Sequence, residues 1–94
     1  MIQSFGDADS KRVWERQHVP RLPTEVIRRT QRELAILDAA ENLDDLRSPP
    51  GNHLEKLRGD RAGQHSIRVD DQWRLCFVWT DAGPEGVELT DHHD

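Results

Sequence analysis

The feature that most constrains this chain is the break at Ser48-Pro49-Pro50-Gly51-Asn52. Two consecutive prolines remove backbone donors and clash with a preceding helical turn, and glycine is poorly tolerated inside a helix, so no helix crosses this point. Before the break, apolar residues recur at three- and four-residue spacing. After it they recur every second residue. A helical half followed by a strand half is the pattern of an α+β fold, with helices packed on one face of a small antiparallel sheet.

The helical half subdivides at Pro20 and Pro23. Asp7 or Asp9 supplies a carboxylate to cap the first free N–H groups of a helix running through Val13 and Trp14 to about Gln17. A longer helix is expected from about Thr24 to Ala40. Its apolar positions are Val26, Ile27, Leu34, Ile36 and Leu37, and Arg28, Arg29 and Arg32 form its polar side. Leu43 and Leu46 suggest one further turn. Ahead of all this, Ile2 to Phe5 is a short apolar run that reads as an N-terminal strand.

In the strand half, Leu54 and Leu57 frame a first short strand, and Gly59 to Gly63 is a glycine-bounded loop. His65, Ile67 and Val69 then alternate with Gln64, Ser66 and Arg68, as a half-buried strand requires. His65 shares the parity of Ile67, so a hydrogen-bonded core histidine is expected there. Asp70-Asp71-Gln72 makes a tight connection to Trp73, Leu75, Phe77 and Trp79, which alternate with Arg74, Cys76 and Val78. Thr80 to Gly86 reads as a turn, and Val87 and Leu89 mark a last strand. Arg68 and Arg74 fall on the side opposite the large apolar residues, so a hairpin brings their guanidinium groups together on the open face.

The chain has 94 residues, read as one domain spanning 1-94. No apolar run approaches the roughly eighteen residues of a membrane span, and no secretory signal is visible. The lone Cys76 suits a reducing compartment, so the cytoplasm is expected, with Cys76 as core packing. The net charge of −5 leads away from nucleic acid. Its distribution is uneven, however. Asn52 to Trp79 carries Lys56, Arg58, Arg61, Arg68 and Arg74 against four acids, and Thr80 to Asp94 carries five acids and no Lys or Arg.

Those residue types suit one chemistry. Cleaving RNA with side chains alone needs a group to take the 2′-hydroxyl proton, a group to protonate the leaving 5′ oxygen, and cations against the charge of the phosphorane. Arginine binds phosphate oxygens at two points and keeps its charge; histidine titrates near neutrality. The arginines of the strand half and the terminal His92 and His93 supply these parts. By composition alone the arginines equally describe a solvated surface, and the histidines a frayed terminus. No other ligands at metal-binding spacing accompany His92 and His93, so no metal is expected.

The order of the residues narrows the choice. Arg58-Gly59-Asp60-Arg61-Ala62-Gly63, then Ser66-Ile67, then Trp73-Arg74-Leu75-Cys76-Phe77 closely resembles the HigB-like branch (the plasmid-maintenance killer proteins) of the RelE/ParE toxin superfamily. Met1 to Phe5 and Val87 to His93 resemble that family's two ends. The resemblance implies a RelE-like fold with two N-terminal helices on one face of a mainly antiparallel, twisted sheet. It implies a type II toxin that is a ribosome-dependent mRNA endoribonuclease and needs no cofactor. The implied partners are the ribosome and mRNA, and a cognate helix-turn-helix antitoxin of the HigA type through which operator DNA is bound.

Carried over by position, Arg58 and Arg74 hold the scissile phosphate, and Asp91, His92 and His93 match the family's C-terminal Asp-aromatic-His, with His93 in proton transfer. His53, Lys56, Arg61 and Arg68 are the implied RNA contacts. This chain departs from the pattern in three ways. It has His92 where tyrosine is common, Glu55 where some relatives carry a histidine (with His53 two residues earlier as a substitute), and an acidic net charge where the family is usually basic. Two rival readings follow: a toxin that poisons DNA gyrase without catalysis, or a weakened toxin acting mainly through antitoxin binding and operon control.

Overall fold

The computed structural model describes residues 1–91; His92 and His93 lie outside the described residues. The order of elements is α1 (Ala8–Trp14), α2 (Thr24–Ala39), β1 (Glu55–Lys56), β2 (His65–Arg68), β3 (Trp73–Thr80) and β4 (Gly83–Asp91). The strands form one antiparallel sheet in the order β1-β2-β3-β4. This is the α+β arrangement that the change of period implies.

Asp7 caps α1, its Oδ1 accepting the Ser10 N–H at 3.1 Å. The helix ends at Trp14, three residues short of Gln17. α2 begins directly after Pro23 and buries Val26, Thr30, Leu34 and Leu37. Thr30 fills the gap that the arginines leave in the apolar stripe. Val26, Leu34 and Leu37 meet Ile67, Leu75, Phe77, Val87 and Leu89 from the sheet in one core. A buried aliphatic or aromatic side chain contributes about 1.5–3 kcal/mol, so this shared layer fixes the helices to one face. Arg28 and Arg29 both pair with Glu25 on the exposed side.

The N-terminal segment runs parallel to β4, joined by a single bridge between Phe5 and Val87 and by backbone bonds from Gln3 and Gly6 to Pro84 and Val87. The expected turn from Thr80 to Gly86 is tighter than its sequence suggests. Gly83 and Pro84 pair with Thr80 and Trp79, leaving only Asp81 and Ala82 between the strands. Gly83 makes this possible: its φ is 129°, and a Cβ there would lie 2.3 Å from the Met1 carbonyl oxygen. The connection at Asp70 is an Asx turn, in which one carboxylate oxygen accepts the Gln72 and Trp73 N–H groups, each at 2.8 Å.

His65 does face the core, stacked on Phe77 with ring centroids 6.4 Å apart. The expected hydrogen bond is not made at its buried Nδ1, which has no partner among the described residues. Burial chiefly, then Lys56 and Arg47, lowers its pKa from the ordinary histidine value. The neutral ring is therefore favoured on folding. As pH falls below about 6.5 the unfolded chain takes its proton first, and stability is lost until pH passes the lower folded value. The urea midpoint of the wild type is expected to fall through this window more steeply than that of His65→Gln. Equal slopes in both proteins would contradict the assignment.

Candidate active site

Beyond the helices, the alternate residues of the strands line the opposite face of the sheet. Ser66 pairs with Cys76, Arg68 with Arg74, Arg74 with Thr90 and Cys76 with Glu88. Directly opposed residues share a face, so Ser66, Arg74, Cys76, Glu88 and Thr90 belong to one surface. The segment after β1 rises beside it. Arg58 is extended, a single 3-10 turn covers Gly59–Arg61, and Leu57 N–H bonds back to Gln64 O at 2.9 Å. Gly59 enters this turn with φ of 65°, a left-handed geometry natural to glycine. Sheet and rim enclose a cleft of about 390 Å³ lined by Leu57, Arg58, Asp60, Arg61, Ser66, Arg74, Cys76, Thr90 and Asp91.

The three arginines of this cleft stand in different circumstances. Arg74 is only 8% exposed. Its Nε donates to Ser66 Oγ at 2.7 Å and its Nη2 to the His53 carbonyl at 2.6 Å, with Glu55 Oε2 3.9 Å away. Arg61 donates to Glu88 Oε1 at 2.6 Å and to Gln64 Oε1 at 3.0 Å. The bond to Glu88 is the main cause that holds the Arg61 pKa above its ordinary value. Arg58 is exposed and has no side-chain partner among the described residues. One guanidinium is thus fixed, one is tethered to a carboxylate, and one is free to reach. Asp91 closes the far end and accepts from Gln72 Nε2 at 3.1 Å.

Of the residues singled out in the sequence, Arg58, Arg61, Arg74 and Asp91 come together here. Three others do not. His53 is in no regular strand: it ends the 3-10 turn Pro50–Asn52 with φ of 45° and meets Arg74 through its backbone carbonyl. Lys56 pairs with His65, so it lies on the helix-side face, away from the cleft. Arg68 stands opposite Arg74 in register, but its guanidinium pairs with Asp71. It lines a second cleft with Arg29, Arg32 and Glu33 of α2, where burial raises the Glu33 carboxyl above its ordinary pKa. The two guanidinium groups therefore diverge.

Sequence reasoning missed Ser66, Asp60, Thr90 and the cleft-side position of Cys76. Cys76 is buried as expected, yet it faces the cleft, with Sγ 3.3 Å from Thr90 Oγ1. The strand parity that set Arg74 opposite Leu75 already contained this signal for Ser66 and Cys76. Among the described residues no group of three or more His, Cys, Asp or Glu is placed to hold a metal ion. No helix there is long and apolar enough to cross a membrane.

Three arginines against Asp60 and Asp91 make this a local site for anions on an acidic chain, moderated by Glu88. Glu88→Gln removes that charge while keeping a hydrogen-bond acceptor for Arg61. Binding of a short single-stranded RNA is expected to tighten about two- to threefold at low salt, because a partly exposed pair is worth under about 1 kcal/mol. The dependence of log affinity on log salt should steepen by about 0.7, one released phosphate counterion. Unchanged or weaker binding, followed by fluorescence anisotropy, would show that Arg61 does not face the RNA.

Known proteins are similar to this chain in sequence and in fold. Residues 3–93 match the family model described as the RelE-like toxin of type II toxin-antitoxin system HigB. Toxin HigB-1 of Vibrio cholerae is 41% identical, covering 100% of this chain and 96% of that protein. Endoribonuclease HigB of Proteus vulgaris is 28% identical, covering 99% of this chain and 100% of that protein. The YoeB-YefM complex from Staphylococcus aureus superposes with a TM-score of 0.63 at 13% identity, covering 99% of both chains. That last likeness is one of fold.

Proposed function

This chain belongs to the HigB family of RelE-like type II toxins, and from that premise we propose that it is an endoribonuclease that cuts mRNA on the translating ribosome. The observation that carries this reading is the cleft around Arg74, where a fixed guanidinium and a free one share a wall with the strand that leads to the C-terminal Asp91-His92-His93. The name of the Proteus vulgaris relative, an endoribonuclease, supports the same reaction.

In this scheme the RNA phosphate lies against Arg74, and Arg58 closes on it from the rim. A base at the C-terminus takes the 2′-hydroxyl proton, and the 2′ oxygen attacks phosphorus. The bond to the 5′ oxygen breaks, and that oxygen leaves with a proton from the conjugate acid. The products are a 2′,3′-cyclic phosphate and a 5′-hydroxyl. His93 is assigned the proton transfer, with His92 or Asp91 assisting; for the two histidines the support is the sequence resemblance. Arg58 and Arg74 stabilise the phosphorane, where preorganised donors act most strongly. Arg61 orients the RNA. Lys56 and Arg68 stand off the cleft and have no part at the scissile phosphate. The scheme draws on side chains alone.

As a type II toxin the chain has an antitoxin. A HigA-like helix-turn-helix protein fits that role, with operator DNA bound through it and the cytoplasm as the site of action.

Expression without antitoxin, followed by mapping of new 5′-hydroxyl ends in mRNA, tests the reading. The expected result is codon-phased cuts that disappear in Arg74→Ala and in His93→Ala, each variant losing about 100-fold or more in cleavage rate. Growth arrest with a DNA-damage response and intact mRNA would instead point to gyrase. Unimpaired growth would point to a toxin that acts through antitoxin binding.

A further inference from the structure

We propose that Ser66 and the left-handed turn at His53 are the positioning residues that make Arg74 effective; this deepens the nuclease reading above and rests on it. An arginine side chain has many rotamers, and a guanidinium in a cleft helps a phosphoryl reaction only when one edge is held toward the phosphate. Of its five N–H donors, Arg74 commits Nε to Ser66 Oγ at 2.7 Å and Nη2 to the His53 carbonyl at 2.6 Å. A weaker contact of 3.4 Å joins Nη2 to the Ser66 carbonyl. The hydrogens of Nη1 have no partner among the described residues, and Arg74 lines the cleft. Two anchors fix the plane, and one edge remains for an oxyanion.

Each anchor is itself constrained. Ser66 is fully buried in β2, between the pairings to Glu55 and Cys76. His53 holds φ of 45°, a conformation that residues with a Cβ adopt only where surroundings enforce it. The enforcement is visible. Asn52 is buried, and its Nδ2 donates to the Leu46 and Ser48 carbonyls at 3.2 and 3.3 Å. Asn52 and His53 N–H bond to Pro49 and Pro50 carbonyls at 3.0 and 3.1 Å. The turn delivers one carbonyl to a guanidinium 21 residues later.

Loss of the Ser66 hydroxyl has a specific consequence. Nε is left without its acceptor, and the carboxylate of Glu55, 3.9 Å from Nη2, becomes the charged competitor for the guanidinium against the single remaining anchor at the His53 carbonyl. The charge of Arg74 stays in the cleft while its orientation is lost. The defect should fall on the chemical step more than on binding.

The test follows single-turnover cleavage of ribosome-bound mRNA by wild type, Ser66→Ala and Ser66→Thr. Ser66→Ala is expected to lower the maximal rate roughly 30-fold, since small misplacements of a catalytic group have effects of this order. The toxin concentration giving half the maximal rate should stay within about threefold, because the charge is retained. Ser66→Thr, which keeps the hydroxyl, should restore most of the rate. In parallel, the Arg74 Nε–H resonance of each protein is followed by hydrogen exchange; protection is expected in wild type and Ser66→Thr and lost in Ser66→Ala.

A folded Ser66→Ala with wild-type rate, or with Arg74 Nε–H still protected, overturns the proposal. A rate loss that Ser66→Thr does not rescue also overturns it. If the wild type cleaves nothing, the nuclease reading fails, and the exchange measurement still decides whether Ser66 holds Arg74. Should Ser66→Ala not fold, Ser66→Cys, similar in shape and a poorer acceptor, reads the same comparison.

Discussion

A guanidinium cannot shed its charge, so taking one out of water requires acceptors already in place around it. Arg74, at 8% exposure, sets that requirement here. The hairpin of β2 and β3 brings Ser66 to its Nε, and the turn before β1 brings the His53 carbonyl to its Nη2. The helices supply none of its hydrogen-bond partners among the described residues, yet they make its face possible. By covering the Ile67, Leu75 and Phe77 side of the sheet, they leave the alternate residues to form a cleft. The Pro-Pro-Gly break therefore has two uses. It separates the helical and strand halves, and it ends in the strained carbonyl that holds the arginine.

Charge on this chain works at short range. A net charge of −5 gives no long-range attraction for RNA, and at physiological salt fields fade within about 8 Å. Within the cleft Arg58, Arg61 and Arg74 face Asp60 and Asp91. Glu88 and Glu55 stand beside Arg61 and Arg74, so the attraction for an anion rests on where the guanidinium groups point and not on a local excess of positive charge. A site of this kind relies on being delivered to its substrate, which is the role that ribosome docking has in the proposed function. The free Arg58 is the cleft residue best able to move onto an arriving phosphate.

Much of this was legible in the sequence, and the parts that were not share a cause. The helices, strands and their faces followed from periodicity, because burial on one side leaves a repeating mark at Leu34, Ile67, Leu75 and Phe77. Of the two caps that the sequence left open, Asp7 and Asp9, the structure uses Asp7, and Asp9 pairs with Arg12 and Arg21. The family motif brought forward Arg58, Arg61, Arg74 and Asp91, which the structure gathers in one cleft. His53 was misplaced because it sits in an irregular, left-handed turn where strand parity does not hold, and Lys56, brought forward by the resemblance alone, takes the helix-side face because it pairs with His65. Arg68 was placed correctly by register but not by direction, since its side chain follows Asp71 around the strand end. Gly83 and Pro84 looked like a turn and proved to be strand, because only a glycine there permits the approach of Met1. Ser66 stood in the family motif and on the cleft-side parity, but its role at Arg74 came into view only with the pairing of β2 and β3 and the hydrogen bond to Nε.

The most direct test of the central claim, that a fixed arginine fork drives cleavage in this cleft, is the single-turnover rate of Arg74→Lys on ribosome-bound mRNA. Lysine keeps the charge but cannot engage Ser66, the His53 carbonyl and a phosphate edge at once. The account predicts a rate close to that of Arg74→Ala, about 100-fold or more below wild type. A lysine variant that cleaves within a few-fold of wild type would mean that charge alone suffices, and the geometry of the cleft would not be the source of its activity.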